Sequence, residues 1–253
     1  MNQILGAEHF VVYNYSISPA VDQILQRYQQ DGLVTVLPWP VPTLDVHSYG
    51  QMAALNDCFY RNRNISRFVV VVDTDELIIP RNHFTWMELL DTISPEEHDV
   101  SALMHPSDPS RKRFKTTGSF DFRSSFFKIS NITNWTEILS QFSFSDEEKS
   151  NIEKLKFLTL SQVWRGIKIF PEYRRTKYIA RPEFVNVAGV HYVHSFVKNT
   201  GSVLVNDKLA LVHHYRNYPK KSKVIMDTSI LKFKNQLYPR LVQQCQRFPS
   251  IFK

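Results

Sequence analysis

Phe68-Val69-Val70-Val71-Val72 runs without a polar interruption into Asp73-Thr74-Asp75-Glu76-Leu77. A short apolar run with no alternation suits a strand covered on both faces, as at the centre of an α/β sheet. In open sheets of that class, ligands gather at the carboxyl ends of the strands, where Asp73 to Glu76 fall. Residues two apart in an extended chain point the same way, so Asp73 and Asp75 are expected to offer both carboxylates to one site.

The preceding residues supply the units such a sheet needs. His9 to Asn14 reads as a strand. Ser18-Pro19 opens a helix with Val21, Ile24, Leu25 and Tyr28 at helical spacing, and Asp31-Gly32 closes it. Leu33 to Leu37 is a second strand, ended by Pro38-Trp39-Pro40-Val41-Pro42. An amphipathic helix from about Tyr49 to Asn62 turns Met52, Leu55, Cys58 and Phe59 inward. The order β-α-β-α-β predicts an α/β sheet with right-handed crossovers. Beyond Pro80 the pattern predicts a helix over Thr85–Ile93, loop over 94–117, a strand over Phe120–Ile129 and a polar helix over Asp146–Leu158. Short strands follow from Lys177, with a helical tail from Tyr218. No repeat or linker divides the chain, so residues 1–253 are expected to form one domain.

Composition removes several classes. Of 253 residues, 43% are hydrophobic and 22% charged, which excludes a mainly disordered chain. The densest apolar run, Phe68 to Val72, is far short of the ~20 residues that cross a bilayer. Met1 to His9 lacks a basic end and a long apolar stretch, and does not read as a signal peptide. The net charge of +7 admits an anionic partner, but the densest basic cluster, Arg111-Lys112-Arg113 with Lys115, reads as a solvated loop. No nucleic-acid motif accompanies it, and no nucleic-acid partner is expected. With only Cys58 and Cys245, the chain is neither a disulfide scaffold nor a zinc-cysteine domain. Asn-x-Ser/Thr occurs at Asn14, Asn64, Asn131 and Asn134, where chance gives roughly two, a vote for the secretory pathway.

Paired carboxylates at a strand end suit Mg²⁺ or Mn²⁺, and those ions suit a diphosphate. Three adjacent carboxylates also repel one another unless a cation sits among them. Two reaction classes use this arrangement: glycosyl transfer from a nucleotide sugar, and phosphoryl transfer of the haloacid-dehalogenase kind with Asp73 as nucleophile. The phosphatase pattern places its acidic strand near the start of the domain, whereas two βα units precede it here, so glycosyl transfer fits better. A leaving diphosphate develops negative charge that a divalent ion offsets. Asp75 is expected as a direct ligand, with Asp73 as a second ligand or a contact to ribose or bound water. A neutral imidazole, His214 or else His191, would complete the site unless it is a core histidine. Lys177, Arg181 and Arg216 are donors suited to phosphate oxygens. Inversion would need a carboxylate base, and Asp121 and Glu183 are the candidates. Trp135, Trp164 and Tyr192 could stack on sugars, though core packing explains them as well.

Six blocks in order resemble glycosyltransferase family 92, also called the DUF23 proteins. They are Gly6-Ala7-Glu8-His9-Phe10 with Tyr13-Asn14; Tyr28 to Gly32 with Trp39-Pro40; Gln51 to Cys58; Asp73-Thr74-Asp75-Glu76-Leu77-Ile78; Lys177 to Pro182 with Val190-His191; and His214-Tyr215-Arg216. The resemblance implies a GT-A-like, Rossmann-type mixed sheet flanked by helices. It implies metal-dependent, inverting transfer of a hexose, typically galactose from UDP-galactose, to a glycan or glycoprotein acceptor. It also implies a Golgi location behind a membrane anchor. Family members carry an earlier strand before the first block, so this chain is expected to lack that strand and the anchor, with reduced donor binding. An inactive glycan-binding scaffold of the same fold is the alternative expectation.

Overall fold

Two parallel strands open the chain. β1 (Phe10–Asn14) and β2 (Val34–Pro38) pair from Phe10↔Val34 to Asn14↔Pro38, and α1 (Pro19–Gln30) connects them. Ser18 caps α1 by accepting the Val21 N–H at its side chain, and Pro19 occupies the first turn, where its missing donor costs nothing. Gly32 leaves the helix end at φ +71, a left-handed conformation that carries no Cβ penalty in glycine. The computed structural model describes residues 1–41, 46–93, 116–128, 139–216, 223–249 and 251. Residues 94–115 of the predicted loop over 94–117, the basic cluster, Asn131, Asn134 and Trp135 lie outside them, and the loop's last two residues, Thr116 and Thr117, instead open a strand.

α2 (Gln51–Asn62) begins two residues later than its apolar spacing predicts. Ser48 and Tyr49 take left-handed backbone in a preceding 3₁₀ turn and cannot join the helix. Ala54 and Phe59 are its buried residues, and Phe59 stacks on Tyr178 with centroids 6.1 Å apart. Next come β3 (Val69–Val71), β4 (Glu76–Pro80), α3 (Trp86–Ile93), β5 (Thr116–Phe122) and β6 (Ser124–Lys128). α4 (Asp146–Lys154), α5 (Leu158–Ser161), β7 (Trp164–Gly166), β8 (Lys177–Ala180), β9 (Val185–Ala188) and β10 (Val193–Phe196) follow. The remaining elements are β11 (Thr200–Leu204), β12 (Ala210–Arg216), β13 (Val224–Met226) and α6 (Lys234–Arg247).

The mixed α/β class expected from the element order holds, but the place of the central strand is corrected. β3 neither extends the β1–β2 pair in parallel nor sits at a sheet centre covered on both faces; it lies antiparallel to β8 at the end of a sheet ordered β11-β5-β8-β3, with only Val71 of its three residues buried. The apolar run marks a strand, while its place in the sheet, its neighbour and its direction are set by residues a hundred positions later. The predicted strand over Phe120–Ile129 is two strands broken at Arg123, whose guanidinium pairs with Asp207. β6 thereby enters a second sheet, ordered β13-β7-β6-β12-β4. The predicted helix over Asp146–Leu158 ends at Lys154, and Lys156 at φ +52 precedes α5. In the tail, β13 precedes the helix.

The main core gathers Ile78, Ile79, Trp86, Leu89, Phe122, Phe127 and Val212 around β4 and β12, and the Trp86 indole donates to Ile78 O at 2.9 Å. A smaller cluster of Phe59, Val71, Tyr178, Ala180, Val185 and Val193 ties α2 to β3 and β8–β10. Among the described residues no helix is long and apolar enough to cross a membrane.

β12 carries His213 into the main core, stacked on Phe127 at 3.8 Å between centroids. Burial pushes its pKa down to about 3; Arg81 and Arg165 add to the effect and Asp227 opposes it. The native ring stays neutral while the unfolded chain protonates near pH 6.5, so this contribution to stability is whole above about 6.5 and lost as pH falls below it. The slope is at most about 1.4 kcal/mol per pH unit. His191, also held below its usual range by burial, adds a smaller part. His213→Phe is expected to flatten the fall in urea midpoint between about pH 6.5 and 5. An undiminished slope would contradict this account.

Candidate active site

After Val71 the chain leaves β3, and Asp73 to Glu76 form a tight turn closed by the Glu76 N–H on Asp73 O at 3.0 Å. The extended geometry expected for Asp73 and Asp75 is therefore replaced by a turn. Both carboxylates nevertheless reach one cavity of about 450 Å³, lined by Asp73, Asp75, Glu76, Arg175, His191, His214 and Arg216. Asp73 and Asp75 are 43% and 47% exposed at their side chains, open enough to meet a ligand. The Tyr215 N–H donates to Asp75 O at 2.8 Å and moors the turn to β12.

Behind the turn sits a buried charge cluster. The Lys177 ammonium, fully buried at the start of β8, lies 2.9 Å from Asp73 Oδ2 and 3.1 Å from Glu76 Oε2. It also reaches Val190 O at 3.5 Å. The same Glu76 oxygen accepts the Asp73 N–H at 3.1 Å. The cation that keeps Asp73 and Glu76 from repelling each other is thus a lysine of the chain. Burial by itself would push the Glu76 carboxyl up; His214, Lys177 and the Asp73 N–H together outweigh it and hold the group below its usual range. Lys177, expected at the donor's phosphates, is instead enclosed as the partner of these acids, outside the cavity lining.

β12 pairs His214 opposite Glu76 of β4 and opposite Phe126 of β6. Strand alternation sends His213 into the core and His214 and Arg216 to the cavity. His214 Nε2 is 3.2 Å from Asp75 Oδ2. Its Nδ1 is 3.0 Å from Glu76 Oε1, but off the line of a formed hydrogen bond. His191 reaches the cavity from the loop between β9 and β10. Its Nδ1 lies 3.2 Å from Thr176 O, so that nitrogen carries the proton and Nε2 the lone pair. Thr176 Oγ1 donates back to His191 O at 2.5 Å. Burial, and then the nearby Lys177 charge, lower the His191 pKa against the opposing Thr176, Glu76 and Asp73 contributions, keeping the ring neutral at pH 7.

Among the described residues no three His, Cys, Asp or Glu side chains are gathered to hold a metal ion by themselves. Two are. Ligands about 2.1 Å from one ion and at right angles stand about 3 Å apart, the spacing of His214 Nε2 and Asp75 Oδ2. Ions that bind phosphates take one or two carboxylates and leave the other positions to water and substrate oxygens, so this pair fits such an ion.

The other expected residues divide clearly. Arg216 lines the cavity. Arg181 does not; its guanidinium lies over the Phe68 ring at 5.6 Å. Asp121 is 1% exposed inside β5 and accepts the Ser119 hydroxyl at 2.7 Å, away from the lining. Glu183 is exposed in a 3₁₀ turn after Arg181, also away from it. Neither base candidate lines the cavity. Trp164 packs on the main core, and Tyr192 packs against Tyr173 and His194. Arg175 was not among the expected residues; the only sign was its place two residues before Lys177 in a basic stretch. Glu76 was legible as a third carboxylate and as part of the acidic block of the family resemblance, but not as the partner of Lys177.

The family profile described as Glycosyltransferase family 92 matches residues 1–247, and the chain belongs to that family. Its mixed sheets flanked by helices are consistent with a GT-A-like glycosyltransferase fold. Three curated relatives are Caenorhabditis elegans proteins. One glycosyltransferase family 92 protein is 31% identical over 131 residues, covering 47% of this chain and 26% of its own length. A protein named beta-1,4-galactosyltransferase is 22% identical over 237 residues, covering 92% of this chain and 45% of its own. A second glycosyltransferase family 92 protein is 23% identical over 97 residues, covering 34% and 19%. The chain spans less than half the length of each of these relatives.

Lys177→Met removes the buried cation and leaves Glu76, 1% exposed at its side chain, uncompensated. The expected loss is about 3–5 kcal/mol in urea denaturation. Adding Glu76→Gln should recover most of it, since no uncompensated buried charge then remains. A loss below about 1 kcal/mol for Lys177→Met would contradict the role given to the pair.

Proposed function

We propose that this chain, as a member of glycosyltransferase family 92, carries the donor site of a glycosyltransferase that moves a hexose from a nucleoside diphosphate to a glycan acceptor. The observation that carries the reading is the shared cavity of Asp73, Asp75, His214 and Arg216 beside the enclosed Lys177–Glu76 pair. Galactose from UDP-galactose is the proposed donor, supported by the relative named beta-1,4-galactosyltransferase, which matches 92% of this chain. Family membership speaks against the phosphatase alternative.

In this reading Asp75 and His214 would hold Mn²⁺ or Mg²⁺, with Asp73 beside them. The ion's contribution is to offset negative charge on the departing diphosphate. The chain's own part is positional. Lys177 and Glu76 fix the turn so that the Asp75 carboxylate need not reorganise when donor arrives. The Arg216 guanidinium supplies a fork of donors for phosphate oxygens. For inverting transfer, an acceptor hydroxyl must lose its proton, and His191 Nε2 is the neutral lone pair of the lining suited to take it. The Thr176 carbonyl holds the ring in that tautomer. A lumenal, Golgi setting is proposed with this activity; it is supported by the sequon at Asn64, an exposed residue.

One observation favours a second reading, in which donor binds without a metal: Lys177 already balances charge between Asp73 and Glu76. Isothermal titration of UDP decides between the two. The proposed function predicts binding that rises at least about tenfold with Mn²⁺ and a loss of that gain in Asp75→Ala. Equal binding with and without Mn²⁺ would select the second reading, and no UDP binding under either condition would contradict both.

A further inference from the structure

Arg175 enters the cavity lining from the loop before β8, and no function has been given to it. Its guanidinium carbon lies 5.2 Å from the Phe126 ring centroid and 5.4 Å from that of Phe170. Arg216 arrives from β12 and lies 5.1 Å from the same Phe126 ring. Two cations thus share one aromatic support, which also meets His214 edge-on at 5.1 Å. Among the described residues neither arginine forms a salt bridge, although three carboxylates line the same cavity.

The backbone at Arg175 is informative as well. Its φ is +63, and that of Tyr173 in the same loop is +61. Left-handed backbone is uncommon outside glycine and asparagine, and the surrounding structure must hold it. Held over Phe126, Arg175 loses side-chain freedom before a ligand arrives, which lowers the cost of binding.

We infer that Arg175 and Arg216, both held against Phe126, form a two-arginine clamp for the two phosphates of the donor diphosphate. This rests on the proposed donor site and adds a residue to it. Each guanidinium presents a planar fork to one anionic group, which a single lysine charge cannot do. The pair also supplies the positive charge a diphosphate needs to enter a cavity lined by Asp73, Asp75 and Glu76. Phe126 serves as a positioning residue, acting through the two arginines.

Asparagine accepts left-handed backbone readily, so Arg175→Asn removes the fork without adding strain. UDP and UMP are titrated into the chain and this variant with Mn²⁺ present, alongside thermal melts. UDP affinity is expected to fall about tenfold or more, UMP affinity by less than about threefold, with the melting temperature unchanged or higher. Arg175→Lys, which keeps charge but not the fork, is expected to fall between. Unchanged UDP affinity in Arg175→Asn, equal losses for UDP and UMP, or full affinity in Arg175→Lys would each overturn the clamp. If the unsubstituted chain itself binds no UDP, the underlying donor-site reading falls and the clamp with it.

Discussion

The candidate site depends on one buried ionic contact, Lys177 to Glu76 at 3.1 Å. A carboxylate and an ammonium taken this far from water are each costly, and only their mutual approach makes the pair tolerable. Glu76 stands at the first position of β4, where the acidic turn rejoins a sheet. Lys177 stands at the first position of β8, in the other sheet. The contact therefore bridges the two large sheets where the chain must present Asp73 and Asp75 to solvent. His214, opposite Glu76 on β12, extends the same cluster to the cavity wall.

Division of labour follows from burial. Glu76 and Lys177 are enclosed and act on geometry, while Asp73 and Asp75 keep nearly half their side-chain surface for a ligand. β12 repeats the division between adjacent histidines. His213 faces Phe127 and is kept neutral by burial, whereas His214 faces Asp75. Two residues of one type in sequence thus have opposite fates, fixed by the period-two alternation of a strand paired on both sides.

Much of this was legible before the structure. Capping at Ser18-Pro19 and the family resemblance rest on local pattern and held, and the apolar run ending at Asp73 did form a strand, though at the end of its sheet order rather than at a covered centre. The sequence also pointed to Asp73, Asp75, His191, His214 and Arg216, which the fold brings to one cavity. What local pattern could not supply is long-range pairing. Nothing in Phe68–Val72 announces that its partner is Lys177–Ala180, antiparallel. For the same reason Lys177 read as a phosphate ligand, and nothing local marked its neighbour Glu76 as its partner. Asp121 and Glu183 were chosen by residue type, and one is enclosed in β5 while the other faces solvent away from the cavity. Arg175 was missed because backbone strain and a shared aromatic support exist only in three dimensions.

The central claim is that a fixed acidic turn presents Asp75 and His214 together to a divalent ion and a donor diphosphate. Anomalous diffraction from crystals grown with Mn²⁺ and UDP tests it directly. The account predicts a manganese peak about 2.2 Å from an Asp75 carboxylate oxygen and from His214 Nε2, with the Lys177–Glu76 contact intact. A peak bound elsewhere, or ordered UDP with Lys177 turned out to its phosphates, would contradict it.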